Sequence, residues 1–145
     1  MNEYRVELAK KLGLVDYVFT PDEAMEGIMK VTNGHGVERA IDASASDPGR
    51  QLAIRATREW GKIAFVGEGG TCTFNPSPDI IHGQKTIYGS WVTSLWRMEE
   101  LVERLVRWGI HPEDLITHEF PLDKADEAYA LMAGGNCGKV AVVFD

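Results

Sequence analysis

The stretch GVERAIDASASDPGRQLAIRATREWGKIAFVGEGG, residues 36–70, decides the fold. A short buried strand is predicted from Val37 to Ala43, and it ends in small residues. Asp47 and Pro48 then start a helix that is expected to end at Gly61. A second apolar strand follows and leads into a run of glycines. This strand–helix–strand order is typical of parallel strands joined by a crossover helix.

The same alternation extends to both sides of this stretch. NEYRVELAKKLG predicts a helix that ends at Gly13, and PDEAMEGIMKV predicts another. TCTF is compatible with a short strand, and KTIYGSW predicts a longer one. SLWRMEELVERLVRW predicts the most amphipathic helix, with the i,i+4 pairs Glu100–Arg104 and Glu103–Arg107 opposite its apolar side. A closing strand–helix–strand run follows in LITHEF, DKADEAYALMAGG and GKVAVVFD.

Composition limits the classes of partner. The 145 residues suffice for one ordinary domain, and 44% of them are apolar, which can supply a core. The net charge of −7 argues against a nucleic-acid partner, because phosphate binding requires a basic surface. No apolar run approaches the roughly 18 residues of a membrane helix, and the polar start shows no secretory signal. We therefore expect a cytoplasmic protein with neither a nucleic-acid nor a membrane partner, in which Cys72 and Cys137 are reduced thiols.

The sequence shows no recognisable catalytic or metal-binding constellation. Its four histidines are scattered over different predicted elements, without metal-ligand spacing: His35, His82, His111 and His118. No GxSxG nucleophile turn occurs. We therefore predict no metal site, no zinc and no catalytic residue. Asp42, near the end of a buried strand, is interpreted as a carboxylate that hydrogen-bonds the next loop, the alternative being an acid with a perturbed pKa.

Small residues follow three successive predicted strands, in DASAS, VGEGG and GSWVTS. Ligands of parallel sheets bind beyond the carboxyl ends of the strands, so these loops are compatible with a nucleotide crevice. The alternative is that glycine and serine only form turns there. A dinucleotide fold also needs a GxGxxG loop after its first strand, and this motif is absent. We expect that loop, its helix and the first two strands to precede residue 1.

The ordered stretches resemble the later part of zinc-type medium-chain alcohol, polyol and threonine dehydrogenases. NEYRVELAKKLG, GVERAIDASAS, WGKIAFVGEGG, KTIYGSW and the final stretch from LITHEF onward follow in that family's order. The resemblance implies an α/β fold with an incomplete Rossmann-like parallel sheet and a C-terminal strand–helix–strand piece. Residues 1–92 would be a partial dinucleotide-binding domain. Residues 93–145 would be the piece that packs on the catalytic domain in that family, and the two parts can form one compact unit here.

The resemblance also implies which residues lie near NAD or NADP. The positions that match cofactor contacts of the family are Arg5, Ala43, Ser44, Val66, Gly67, Glu68, Trp91, Val92 and Lys139. Four of these also have purely structural interpretations. Arg5 and Lys139 would then be solvated charges, Trp91 a core or interface residue, and Gly67 a turn glycine.

Two functions follow from this resemblance. The first is the C-terminal part of an NAD(P)-dependent dehydrogenase, which alone is expected to bind neither dinucleotide nor zinc tightly and to be inactive. The alternative is a standalone truncated binding or interaction module without redox activity. In either case we expect a homodimer or higher oligomer through Thr71–Phe74 and Lys85–Trp91, because exposed apolar strand edges pair with other chains. A monomer that rearranges to fill the gap is the alternative.

Overall fold

The computed structural model describes residues 2–144, so the outer limits of the two expected domains lie outside the described residues. The chain forms two compact units. We call Pro21–Val92 the central unit; the terminal unit combines the residues up to Thr20 with those from Thr93 onward. The opening helix therefore belongs to the same unit as the C-terminal piece. The division into a dinucleotide-binding domain up to residue 92 and a C-terminal piece from residue 93 stays a prediction.

The central unit is a three-stranded parallel sheet with strand order β1-β2-β3. Its elements are α2 (Pro21–Val31), β1 (Val37–Asp42), α3 (Asp47–Ala56), β2 (Thr57–Phe65), a π-helical turn (Ser77–Ile81) and β3 (Thr86–Gly89). Helix α3 packs on β1 and β2, and α2 packs on α3. Ile54 of α3 and Ile63 of β2 are fully buried where helix and sheet meet. This confirms the parallel sheet expected from the sequence.

The junction between α3 and β2 differs from the expectation. The helix ends at Ala56, not at Gly61, because the buried Thr57 already pairs with Val37 of β1. Pairing then resumes between Arg39 and Lys62, so residues 58–61 form a bulge. Trp60 lies in this bulge with a φ of 60°.

No strand forms at Thr71–Phe74, so the short strand suggested by TCTF is wrong. Side chains bond the backbone of this segment. The Thr73 N–H donates to the Asp47 carboxylate, and Arg50 donates to the Thr71 carbonyl oxygen. These contacts hold the segment as a loop beside the start of α3.

The terminal unit contains the strand–helix–strand piece expected near the C-terminus, and the two strands pair in parallel. Its elements are α1 (Glu3–Leu12), α4 (Leu95–Trp108), a 3-10 turn (Pro112–Leu115), β4 (Ile116–Pro121), a second 3-10 turn (Leu122–Lys124), α5 (Ala125–Gly134) and β5 (Lys139–Val143). Helix α5 packs on both strands. Asn2 caps α1 and also donates to the Gly135 carbonyl oxygen at 2.7 Å, and α1 ends at Gly13 with a φ of 62°. No helix among residues 2–144 combines the length and apolarity needed to cross a membrane.

Helix α4 has the amphipathic character predicted for it, with one change in its ion pairs. Glu100 pairs with both Arg97 and Arg104, so the first expected pair is confirmed. No pair between Glu103 and Arg107 forms among the described residues. None of the helix residues is buried, and its apolar side is exposed to solvent.

A buried arginine links the loops at the carboxyl end of the central sheet. Arg50 is 8% exposed, and its Nε lies 3.4 Å from Oδ2 of Asp42, which is 4% exposed. Its other nitrogens donate to the carbonyl oxygens of Gly67 at 2.7 Å and Thr71 at 3.2 Å. The guanidinium carbon lies 5.4 Å from the Phe65 ring centroid. One side chain of α3 thus fixes the end of β1 and both ends of the glycine-rich segment after β2.

Asp42 organises the loop that follows β1. Its Oδ1 accepts hydrogen bonds from the Ser44 hydroxyl at 2.6 Å and from the Ser44 N–H at 3.1 Å, and its Oδ2 accepts from the Ala45 N–H at 3.3 Å. Burial disfavours the charged carboxylate, but these hydrogen bonds and the Arg50 charge outweigh it and lower the Asp42 pKa. The interpretation of Asp42 as a loop-bonding carboxylate is confirmed.

Replacing Arg50 with alanine should destabilise the protein strongly. The change leaves a buried carboxylate without its cation, which typically costs about 3–5 kcal/mol. Urea unfolding followed by circular dichroism measures the loss. The matched control is Arg58→Ala, which removes an ion pair to Glu38 between two exposed side chains and should cost less than about 1 kcal/mol. Equal losses for the two variants would contradict a structural role of the buried pair.

The Asp42 carboxylate should stabilise the fold only above acidic pH. Its pKa in the folded chain is lower than the ordinary value of 3.8, so its contribution is fully present above that ordinary value and is lost as the pH falls through the lower pKa of the folded chain. The difference in free energy of unfolding between the unmodified chain and Asp42→Asn should therefore shrink from about pH 7 to about pH 3. A difference that stays constant or grows on acidification would show that the carboxylate charge is not what stabilises the loop.

Candidate functional site

Two loops meet at the carboxyl end of the central sheet, and we call them the strand-end loops. They comprise residues 43–46 after β1 and residues 66–70 after β2. The N–H groups of Val66 and Gly67 donate to the Asp42 carbonyl oxygen at 2.9 and 3.1 Å. These bonds bring together four of the residues implied by resemblance: Ala43, Ser44, Val66 and Gly67.

Gly67 is required by the close approach of the two loops. A Cβ at this position would lie 2.5 Å from the Ala45 nitrogen and 3.0 Å from the Ala43 carbonyl carbon. Both are backbone atoms, which a side chain cannot displace without separating the loops. Gly67 is therefore needed for the packing of the two loops. Their close approach also forms a narrow backbone surface at the end of the sheet, where ligands of parallel sheets bind.

Hydrogen bonds fix the conformation of the first strand-end loop. The Ser44 Oγ lies 2.6 Å from Oδ1 of Asp42 and 2.9 Å from Oγ of Ser46. Ser46 in turn accepts from the Gly49 N–H at 3.2 Å and caps α3. Ala45 adopts a left-handed conformation with a φ of 57°, which is uncommon for a residue with a side chain. Ser44 is exposed, and these hydrogen bonds hold its side chain in one position.

The end of β3 lies beside the second strand-end loop. The Ser90 N–H donates to the Phe65 carbonyl oxygen at 3.0 Å, so the two strands leave the sheet next to each other. Trp91 and Val92 follow directly and are largely exposed, as is Glu68 in the neighbouring loop. Val92 has a φ of 47°, which is rare for a β-branched residue and marks local strain.

Arg5 and Lys139 belong to the terminal unit, where they line one cleft. Arg5 also donates from Nε to the Cys137 carbonyl oxygen at 3.1 Å. The cleft has a volume of about 350 Å³, and apolar side chains form most of its wall. Its lining residues are Arg5, Leu8, Ala9, Leu12, Leu115, Met132, Gly138 and Lys139. Arg5 and Lys139 thus border the same cleft of the terminal unit.

The donor groups of the described residues do not fit a zinc ion. No group of three or more histidine, cysteine, aspartate or glutamate side chains converges within residues 2–144. A dinucleotide fits in part. The strand-end loops offer small residues and room at the backbone, which suit a ligand. Asp42 and Arg50 pair with each other beneath the loops, so neither charge is available to the ligand. Ala43, Ser44 and Gly67 are the residues of the central unit that would contact such a ligand.

Sequence reasoning missed the residue that holds the site together. Arg50 lies four residues before Ile54 on the buried side of α3, where its charge is unexpected. A cation on the buried stripe of a helix, beside an acidic residue at a strand end, is the signal that would have found it. The left-handed conformation of Ala45 was also missed, because no feature of the sequence indicates that an alanine adopts it.

Comparisons with known proteins find relatives named as dehydrogenases or dehydrogenase-like proteins. The chain is 43% identical over 142 residues to YphC, an uncharacterized zinc-type alcohol dehydrogenase-like protein of Escherichia coli, covering 97% of this chain and 40% of that protein. It is 33% identical to the L-threonine 3-dehydrogenase of Pyrococcus horikoshii, covering 96% of this chain and 41% of that enzyme. The chain thus spans about 40% of the length of the curated relatives it matches.

Solved structures show the same fold. The benzyl alcohol dehydrogenase of Acinetobacter calcoaceticus matches with a TM-score of 0.82 and 27% identity, over 99% of this chain and 41% of that one. An alcohol dehydrogenase of Thermotoga maritima matches with a TM-score of 0.79 over 97% of this chain and 41% of that one, at 23% identity. A family model described as zinc-binding dehydrogenase matches residues 1–107. On this evidence the chain belongs to the zinc-binding dehydrogenase family, of which it represents a C-terminal portion.

Proposed function

We propose that the chain supplies part of the dinucleotide site of a zinc-type, NAD(P)-dependent alcohol dehydrogenase-like protein and is inactive alone. The observation that carries this is the pair of strand-end loops, which lie at one end of a parallel sheet and are fixed by Arg50 and Asp42. Supporting it, the chain spans only about 40% of the length of relatives named as dehydrogenases.

The residues of the chain would bind and orient the cofactor without reacting. Ala43 and Ser44 are small and exposed, so a ribose can approach them, and Gly67 leaves room at the neighbouring backbone. The cations of the terminal cleft, Arg5 and Lys139, would bind phosphate or ribose oxygens. In the proposed parent protein, NAD(P) would supply or accept the hydride and zinc would polarise the alcohol oxygen.

A standalone interaction module without redox activity is the second candidate. The extent of exposed apolar surface favours it. Large side chains that are mostly exposed include Ile41, Trp91, Leu95, Val102, Val106 and Trp108. Exposed apolar patches of this kind mark contacts with other protein surfaces.

We also propose that the chain self-associates through Lys85–Trp91 with the adjoining Thr71–Phe74 loop. Strand β3 is an outer strand of the sheet, so one of its edges has no neighbouring strand in the central unit. The N–H groups of a parallel strand alternate in direction, and Ser90 donates toward β2, so the Gly89 N–H points away from the sheet. An outer strand with free N–H groups and a nearby exposed Trp91 suits pairing with a second copy.

The isolated chain should bind NADH weakly. It has no glycine loop to hold the pyrophosphate at a helix N-terminus, which supplies much of the affinity in dinucleotide folds. Isothermal titration should give a dissociation constant weaker than about 100 µM. AMP is the control ligand, and Gly67→Ala should abolish any residual AMP binding by separating the strand-end loops.

Two results would contradict the proposed function. One is an NADH dissociation constant tighter than about 10 µM, which would require a complete dinucleotide site in this chain. The other is zinc-dependent oxidation of an alcohol above the blank rate that persists in Cys72→Ala and Cys137→Ala.

Self-association through β3 should be sensitive to Gly89→Pro. Proline removes the outward N–H group and leaves the bond from Ser90 to Phe65 intact. Light scattering across a dilution series should show a smaller mass for the variant at every concentration. Circular dichroism serves as the folding control. An unchanged mass in a folded variant would rule out edge pairing at β3.

A further inference from the structure

Among the described residues of the central unit, no helix packs on one face of the sheet. Helix α3 covers the other face, where Ile63 is fully buried. The uncovered face, which we call the open face, is formed by alternate residues of the three strands: Arg39, Ile41, Lys62, Ala64, Thr86 and Tyr88. Parallel sheets are ordinarily covered on both faces, so the open face is an unpartnered surface of the central unit.

The strand register orders the open face into two rows. Ile41 pairs with Ala64, which pairs with Tyr88, so these side chains form an apolar row across the strands. Ile41 is 74% exposed, although it lies within a strand. In the neighbouring row, Arg39 of β1 lies opposite Lys62 of β2. Neither cation has an ion-pair partner among residues 2–144.

Helix α4 carries a surface with the same pattern and the opposite charge. Its exposed apolar side includes Met98, Leu101, Val102 and Val106, of which Val106 is 79% exposed. Glu99 and Glu103, one turn apart, border this side along Val102 and Val106. Neither glutamate takes part in an ion pair within the described part of the chain, whereas Glu100 is paired with two arginines.

We propose that the open face binds helix α4 of a second copy of this chain. The apolar side of α4 would lie along the row of Ile41, Ala64 and Tyr88. Glu99 and Glu103 would then lie over Arg39 and Lys62. Residues one helical turn apart are separated by about 5–6 Å and paired residues of adjacent strands by about 5 Å, so a helix that crosses the strands matches the two charge rows.

Charge also argues against the simplest competing contacts. Two open faces packed together would bring the Arg39 and Lys62 rows of both copies into one interface without counter-ions, which is unfavourable. Two α4 helices packed antiparallel would place the Glu99 and Glu103 edges against each other. Of these three contacts, only the one between α4 of one copy and the open face of another pairs opposite charges.

This inference does not rest on the proposed redox role, and it is separable from edge pairing at β3. The open face extends to β1, the strand at the other edge of the sheet. Gly89→Pro removes a backbone donor of β3 and leaves the side chains of Ile41, Arg39 and Lys62 unchanged. The test is therefore made in the Gly89→Pro background, where only the contact between α4 and the open face remains.

The decisive experiment is a charge exchange between two versions of the full chain. One carries Arg39→Glu and Lys62→Glu, and the other carries Glu99→Lys and Glu103→Lys. Each alone should dissociate at least about tenfold more readily, because its two surfaces then repel each other. An equimolar mixture should recover the dimer mass, since both contacts of a mixed pair are again opposite in charge. Sedimentation velocity measures the masses.

Single apolar changes supply an independent readout. Ile41→Glu and Leu101→Glu should each weaken association about tenfold or more. Leu122→Glu is the matched control, because Leu122 is 59% exposed and lies on neither surface. Circular dichroism confirms that each variant is folded, and all the replaced side chains are exposed.

Three results would overturn the proposal. The first is a monomer mass for the Gly89→Pro chain at all concentrations. The second is failure of the mixture to recover the dimer when each charge variant alone is monomeric. The third is loss of association in Leu101→Glu but not in Ile41→Glu, which would show that α4 pairs with itself.

Discussion

The buried ion pair between Arg50 and Asp42 is the interaction on which the candidate site depends. An arginine on the buried side of a helix is costly unless its charge and its hydrogen-bond donors find partners. Here the Asp42 carboxylate balances the charge, and the two terminal nitrogens of Arg50 donate to the carbonyl oxygens of Gly67 and Thr71, whereas the buried Nε makes no hydrogen bond. One side chain thus links the end of β1 to the segment after β2. The pair explains why the glycine-rich loops have a defined shape.

Much of the architecture followed from the sequence because it is encoded locally. The period of apolar residues, the helix start at Asp47 and Pro48 and the stop at Gly13 each act within a few residues, and the structure places helices as they predict. The expected end of α3 at Gly61 failed because pairing of Thr57 with β1 outweighed the helical pattern. TCTF failed for a related reason, since side chains of α3 satisfy its backbone.

The candidate site was predictable only in part. The small residues at the strand ends gave its location, because parallel sheets expose their carboxyl ends to ligands. The role of Arg50 and the conformation of Ala45 were not predictable, since both depend on contacts between loops separated by a helix. Arg5 and Lys139 share a cleft although they lie near opposite ends of the chain, and only the family resemblance had related them.

The bulge in β2 also bears on how this segment tolerates changes in length. A regular strand turns alternate side chains to opposite faces, so one added residue would exchange the core and surface sides of everything beyond it. Pairing passes from Val37 with Thr57 directly to Arg39 with Lys62, and the intervening residues leave the ladder. Because residues 58–61 are outside the ladder, an insertion or deletion there can leave Ile63 in its buried position beneath α3. Homologous chains should therefore vary in length at residues 58–61 more readily than anywhere else along the central strand.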